Sequence, residues 1–363
     1  MHYPEKYAKV KLIIKQAKFM KKIFLNFIFI SILFSVLQGC SKNTPEPPVP
    51  TNNVVAEINT PAGEKGYIYI DGKYIERVAP AAVSLKKGKH VVGIALKDSW
   101  KYLRKEMDFQ ENTVLTFTGE DQPKPKVWKA LWVGISAAEG GGCTTRFSKE
   151  ELDAGYNYFQ WSITEHFEKY AYGTMQWEVT RKDLDETVKV NLSDSRYVLE
   201  PEELTRHIDI KPGDYDCIFV FWREKFEECE LAGNYLGLGW TQPMSSSMKT
   251  GYVTIKFDVG NGTIEDKLSY FGNNDPGMWI HEWLHTVGEV YYTSRGCVLP
   301  KQAGDGLRVH AAEIYNYKFP WLDWYRDFIS ARVKDPSYGY VGIGPEMLLK
   351  CSLREEAGNI CNE

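Results

Sequence analysis

The stretch MWIHEWLHTVGEVYY, residues 278–292, sets two histidines four positions apart with a glutamate directly after the first. Ile280, Leu284 and Val287 recur at i, i+4 and i+7, the stripe of a helix packed on a core. Asp275-Pro276-Gly277 comes just before, offering an N-cap and then a proline at the first helical position, where its missing N–H costs nothing. Proline is absent from residues 277–299, so nothing interrupts the helix. On such a helix His281 and His285 share a face one turn apart, and both imidazoles reach a single ion about 2.0 to 2.1 Å from each nitrogen. Glu282, one position round, lies beside the ion without ligating it. A general base is wanted there, to take a proton from water attacking a carbonyl and deliver it to the leaving amine. The competing expectation is an aromatic-rich core helix with packed histidines.

His281-Glu282-x-x-His285 resembles the HExxH motif of zincin metallopeptidases. The resemblance implies Zn2+ as cofactor, His281 and His285 as metal ligands and Glu282 as the catalytic residue. In the metzincin subgroup the motif continues as HExxHxxGxxH; here Gly288 holds the glycine position, but Tyr291 replaces the last histidine. In gluzincins the third ligand is a glutamate on a later helix. Residues 309–329, VHAAEIYNYKFPWLDWYRDFI, offer such a segment, with His310 the first choice as third ligand and Glu313 the alternative. Glu289 shares the face of His285, but one helix struggles to present three ligands. Trp324-Tyr325-Arg326-Asp327 resembles a second element of bacterial lipoproteins that carry HEWLH. Tyr291, Tyr315 and Tyr317 are candidate donors to an oxyanion.

Working outward, residues 252–259 alternate as a strand expected nearest this helix, with an edge to which an extended peptide can add. LGLGW, residues 236–240, is a candidate substrate rim. Residues 216–222 and 128–135 read as buried strands, the latter running into a flexible, exposed loop over residues 136–142 with Gly140-Gly141-Gly142. Ser148 with Glu151 three residues on marks a helix start near residues 148–158. Strands alternating with helices predict a mixed sheet with helices packed on it across residues 128–363.

Residues 54–118 differ, with short strands expected at 54–58, 67–70, 74–78, 91–96 and 114–118 between turn signals. GYIYIDGKYI and PAAVSLKKGKHVVGIAL resemble a PEGA-type domain, which implies a small envelope-associated β-sandwich without catalytic residues. Residues 119–127, with two prolines, read as a linker. The fold class expected is α+β: a small all-β sandwich, then a zincin-like catalytic domain.

At the N-terminus a basic flank at Met20-Lys21-Lys22, an apolar run over residues 23–36 and Leu37-Gln38-Gly39-Cys40 form a secretory layout. LQGC resembles a lipoprotein lipobox, implying a signal peptide over residues 20–40, cleavage before Cys40 and a lipid on its sulfur. Residues 1–19 then read as an over-extended start. The apolar run is shorter than the ~20 residues of a membrane helix. Residues 41–53, with four prolines, read as a tether. The protein is therefore expected in the bacterial envelope, anchored in the outer membrane or at the cell surface. Six further cysteines are free to pair in an oxidising compartment, and Cys351 with Cys361 is one pairing that staples the tail.

A net charge of −4, from 44 basic and 48 acidic residues mixed along the chain, gives no footprint for nucleic acid. The expected partners are a membrane, through Cys40, and a protein or peptide substrate. The function expected is hydrolysis of peptide bonds in extracellular or envelope proteins. The alternative is an inactive zincin scaffold serving as an adhesive or a glycan- or peptide-binding lipoprotein, which the 11 tryptophans and 22 tyrosines suit. A purely structural zinc would need a fourth protein ligand.

Overall fold

In the computed structural model, residues 52–362 are described, apart from 242, 244–247 and 261. The expected signal segment, the lipidated Cys40 and all but the last two tether residues lie outside the described part. Val54, Ala56 and Ile58 alternate inward along β1 (Asn53–Asn59), while their neighbours face water. Six more strands follow: β2 (Gly66–Ile70), β3 (Lys73–Ala79), β4 (Ala81–Lys86), β5 (Gly88–Leu96), β6 (Tyr102–Phe109) and β7 (Thr113–Thr116). They form two sheets, β4-β1-β7 and β3-β2-β5-β6. The sheets close on one core that includes Ile58, Ile68, Ile94, Leu103 and Phe109.

The outer face of the second sheet is not left to solvent. Tyr69 and Tyr102 are fully buried and reach into the C-terminal region. Tyr69 Oη donates to the Ser330 carbonyl at 2.8 Å, and Tyr102 Oη to the Glu346 carboxylate at 2.9 Å. Arg104 pairs with Glu346 at 3.1 Å, and the Arg332 guanidinium lies 3.8 Å above the Tyr67 ring. Asn52–Glu363 accordingly form one compact unit.

A second sheet system begins with β8 (Lys126–Gly140) and continues through β9 (Cys143–Arg146), β10 (Met175–Lys189), β13 (Cys217–Arg223), β16 (Gly237–Trp240) and β17 (Gly251–Phe257). Two short ribbons lie between, β11 (Asn191–Ser193) with β12 (Arg196–Val198), and β14 (Lys225–Phe226) with β15 (Cys229–Glu230). The order is β10-β8-β13-β17-β16, parallel throughout except for β16, which runs antiparallel at the edge. Cores cover both faces, so CIFVFWR and GYVTIKF are buried almost residue for residue. The molecule is mixed α+β.

Three expectations are corrected here. Residues 252–259 form no edge: β17 pairs with β13 on one side and β16 on the other, and all seven of its residues are buried. The edge on this side of the sheet is β16, from the glycine-rich LGLGW. The loop expected over residues 136–142 is mostly strand: β8 continues to Gly140, and only a tight hairpin turn into β9 remains, with Gly141 and Gly142 at φ of 58° and 82°, which glycine adopts without strain. Asp275 does not cap the histidine helix but ends α2 (Ile264–Asn274), which follows α1 (Lys149–Ser162). Pro276 falls in the turn, and Gly277 opens α3 (Met278–Trp283).

Candidate metal centre

The histidine helix lies across β16 and β17, held there by small residues. A Cβ on Gly239 would sit 2.2 Å from the Glu282 carbonyl oxygen and 2.7 Å from His285 Cβ, and one on Gly251 2.6 Å from Val287 Cγ2. Thr286 Oγ1 donates to the Trp240 carbonyl at 2.5 Å. From Leu284 to Tyr291 the α-helix widens to π geometry, a departure frequent at functional sites. Gly239→Ala is expected to lift the edge strand off the helix and cost about 1–3 kcal/mol. Urea denaturation of the purified variant measures this.

The third histidine arrives from a separate segment. The segment expected to offer the third ligand is a 3-10 turn (Val309–Tyr315) followed by α4 (Leu322–Ile329). Left-handed Asn316 and Trp321, flanking Pro320, break the run. The Trp324 indole donates to the Val309 carbonyl at 2.8 Å, pinning the turn that carries His310.

His281, His285 and His310 converge. Their Nε2 atoms are 3.1 Å apart for 285–281 and 285–310, and 3.3 Å for 310–281. Three nitrogens bound about 2.0–2.1 Å from a tetrahedral zinc are about 3.3–3.4 Å apart, so this triangle has nearly the size of one coordination face. Each outer nitrogen has its own neighbour. His310 Nδ1 meets Asp305 Oδ2 at 2.5 Å, His281 Nδ1 meets the Tyr325 hydroxyl at 2.9 Å, and His285 Nδ1 lies 3.3 Å from Glu289 Oε1, an ion-pair distance too oblique for a full hydrogen bond. Carboxylates beside Nδ1 of His285 and His310 keep the proton there, leaving the Nε2 lone pairs facing one another. Without a cation that arrangement is repulsive; with one it is a ligand set. The donors therefore fit Zn2+.

Burial, and then the close imidazoles of His285 and His310, push His281 well below the usual imidazole range, so it stays a neutral donor. Glu282 is 8% exposed, and burial raises its carboxyl pKa to about 8 against an opposing backbone hydrogen bond from Gly239. Its side chain lies under Gly237, whose added Cβ would meet Glu282 Oε1 at 2.7 Å. The three histidines and Glu282 line one cleft of about 540 Å³ with Gly237 and Gly239 of β16.

Other candidates lie elsewhere. Glu313 is exposed and stands outside the histidine cluster. Glu289 also stands outside the histidine cluster and accepts from the Val309 backbone N–H at 2.8 Å, tying the His310 turn to the histidine helix. Tyr291 donates to the Cys351 carbonyl, Tyr315 to Asp335 and Tyr317 to Asp327, so all three bond to framework groups rather than to the cleft. Tyr325 and Asp305 are supporting residues that the sequence analysis passed over. Tyr325 had a signal in the Trp324-Tyr325-Arg326-Asp327 element; Asp305, in a loop, had none. No protein-family model matches the chain, and no curated protein matches it.

Proposed function

We propose that the protein is a zincin-like zinc metallopeptidase that hydrolyses peptide bonds in extracellular or envelope proteins and is tethered to a membrane through a lipid on Cys40. The observation that carries this is the convergence of three Nε2 lone pairs beside a buried glutamate in one open cleft. His281, His285 and His310 would hold Zn2+, which when bound polarises a carbonyl and acidifies water. Glu282 accepts the proton of the attacking water and returns it to the leaving amine. Tyr325, Glu289 and Asp305 fix the imidazole orientations. Among the described residues no fourth His, Cys, Asp or Glu joins the cluster, which favours an open catalytic position over a closed structural one.

Edge strand β16 lies directly over Glu282 and His285, and no strand lies beyond it among the described residues. Apart from the Gly239 N–H held by Glu282 and the Trp240 carbonyl held by Thr286, its outer edge suits an extended peptide added as a further strand. The paired sheets of β1–β7 support a sandwich, for which the PEGA-like identity rests on sequence resemblance.

The test takes purified protein covering residues 41–363, measures metal by mass spectrometry and incubates it with a denatured-protein peptide mixture. About one zinc per chain is expected, with cleavage lost on chelation and restored by zinc. Bound zinc without any cleavage would point to the binding scaffold instead.

A further inference from the structure

We infer that Arg196 selects substrates carrying a carboxylate on the carboxyl-terminal side of the cleaved bond, an inference that rests on the peptidase reading above. Arg196 is the only lysine or arginine lining the histidine cleft among the described residues. It is half-buried, and its Nε is shielded from solvent with no hydrogen-bond partner. Other half-buried arginines meet an acceptor: Arg104 faces Glu346, Arg181 Asp183 and Arg223 Glu151, and Arg308 donates to the Pro300 carbonyl. Arg196 has only the Tyr235 ring, 5.9 Å from its guanidinium carbon. A desolvated fork of N–H donors with no acid opposite matches a carboxylate brought by a ligand.

Its placement gives direction. Arg196 opens β12 just after the turn at Asp194 and Ser195, both at positive φ. The hairpin is fixed to the chain leading into β16: the Tyr197 N–H donates to the Ala232 carbonyl at 3.1 Å, and the Tyr235 hydroxyl donates to the Tyr197 carbonyl. A Cβ on Gly233 would sit 2.7 Å from Arg196 Cβ. Arg196 therefore stands beyond the N-terminal end of β16, whereas Glu282 lies under Gly237. A peptide added antiparallel, the stabler pairing, runs from Trp240 toward Leu236 and carries its carboxyl-ward residues past Glu282 to Arg196. The acids lining the cleft leave this pairing open: Glu289 is engaged by Val309 and His285, Glu282 lies beneath β16, and Asp275 lies at the start of the histidine helix.

The carboxylate comes from an Asp or Glu side chain or from a peptide's own C-terminus, and two experiments separate these. First, the zinc-loaded protein digests a denatured-proteome peptide library, read by mass spectrometry. Sites with Asp or Glu carboxyl-ward are expected to be cut about five- to tenfold faster than matched Asn or Gln sites. Arg196→Gln brings that ratio to about one, and Arg196→Glu inverts it toward Lys and Arg. If the C-terminus is read instead, free-acid peptides win over their amides with the same dependence on Arg196. Second, calorimetry on zinc-loaded Glu282→Gln protein compares acetyl-Gly-Gly-Glu-amide, acetyl-Gly-Gly-Gln-amide and acetyl-Gly-Gly-Gly with a free carboxylate, without requiring turnover. A carboxylate probe binding tighter than the Gln probe, with the difference lost in an added Arg196→Gln, supports the inference. Cleavage or binding indifferent to charge, or a preference that survives Arg196→Gln, overturns it while leaving the peptidase reading intact. Absence of any cleavage counts against the peptidase reading itself, and the binding comparison still decides the role of Arg196.

Discussion

Glu282→Gln is expected to abolish hydrolysis, with a fall in kcat of about 10²–10⁴, while zinc and peptide remain bound. The range is that of a positioned general base. Glutamine keeps the shape of the side chain, which is wedged beneath Gly237, and leaves the backbone carbonyl under Gly239 untouched, so the edge strand has no reason to move. What disappears is the proton acceptor. Single-turnover cleavage of a peptide that the wild type cuts, alongside a zinc titration of both proteins, separates the two effects. Full activity in the variant would remove Glu282 from the chemistry.

The same substitution has a second readout in metal-stripped protein. The buried carboxyl titrates at about 8, against an ordinary glutamate value of 4.5. Between those values the folded chain holds a proton that the unfolded chain has released, so stability falls as pH rises through this window. In Glu282→Gln that part of the slope is absent. Urea midpoints at pH 5 and pH 8 for the two chains show it as a difference, which cancels other titrating groups such as Asp216, itself raised to about 6 by burial.

His310→Ala is expected to weaken zinc binding by more than the 10–100-fold typical of losing an outer partner, because a direct ligand goes. Two histidines on one helix then remain, and the Asp305 carboxylate loses its partner. Glu313→Ala, by contrast, is expected to keep wild-type affinity, since that side chain faces solvent. Zinc at 100 times its Kd should stabilise the wild type by about 2.7 kcal/mol, visible as a raised Tm, and leave His310→Ala nearly unmoved. Equal zinc shifts in wild type and His310→Ala would assign the third position to another residue.

Much of the site was legible because its signals are local. Two histidines four apart on an amphipathic helix share a face whatever the rest of the chain does, and Glu282 follows from the same periodicity. His310 needed a further step, since its approach depends on a 3-10 turn that Trp324 and Glu289 hold from other elements. Tyr325 and Asp305 act through contacts 44 and 5 residues away in sequence, which no spacing rule expresses. In the fold, strand β10 was missed because MQWEVTRKDLDETVK is an edge strand whose exposed face is charged. Helix α2 did carry a sign, the Thr263–Asp266 capping box, overshadowed by the stronger punctuation at Asp275-Pro276-Gly277. Residues 252–259 alternate in composition, yet packing on both faces decided their depth.

The tyrosine face of the second N-terminal sheet touches the segment just after α4. Ser330 and Arg332, its partners, follow Tyr325 by only a few residues, and Arg332 also holds Asp327 at 2.7 Å. The N-terminal sheets thus share a wall with the segment just behind the turn of the third histidine. Loss of either side of this wall would loosen the segment behind the histidine cluster, and an excised C-terminal half would expose it as a wet, charged scar.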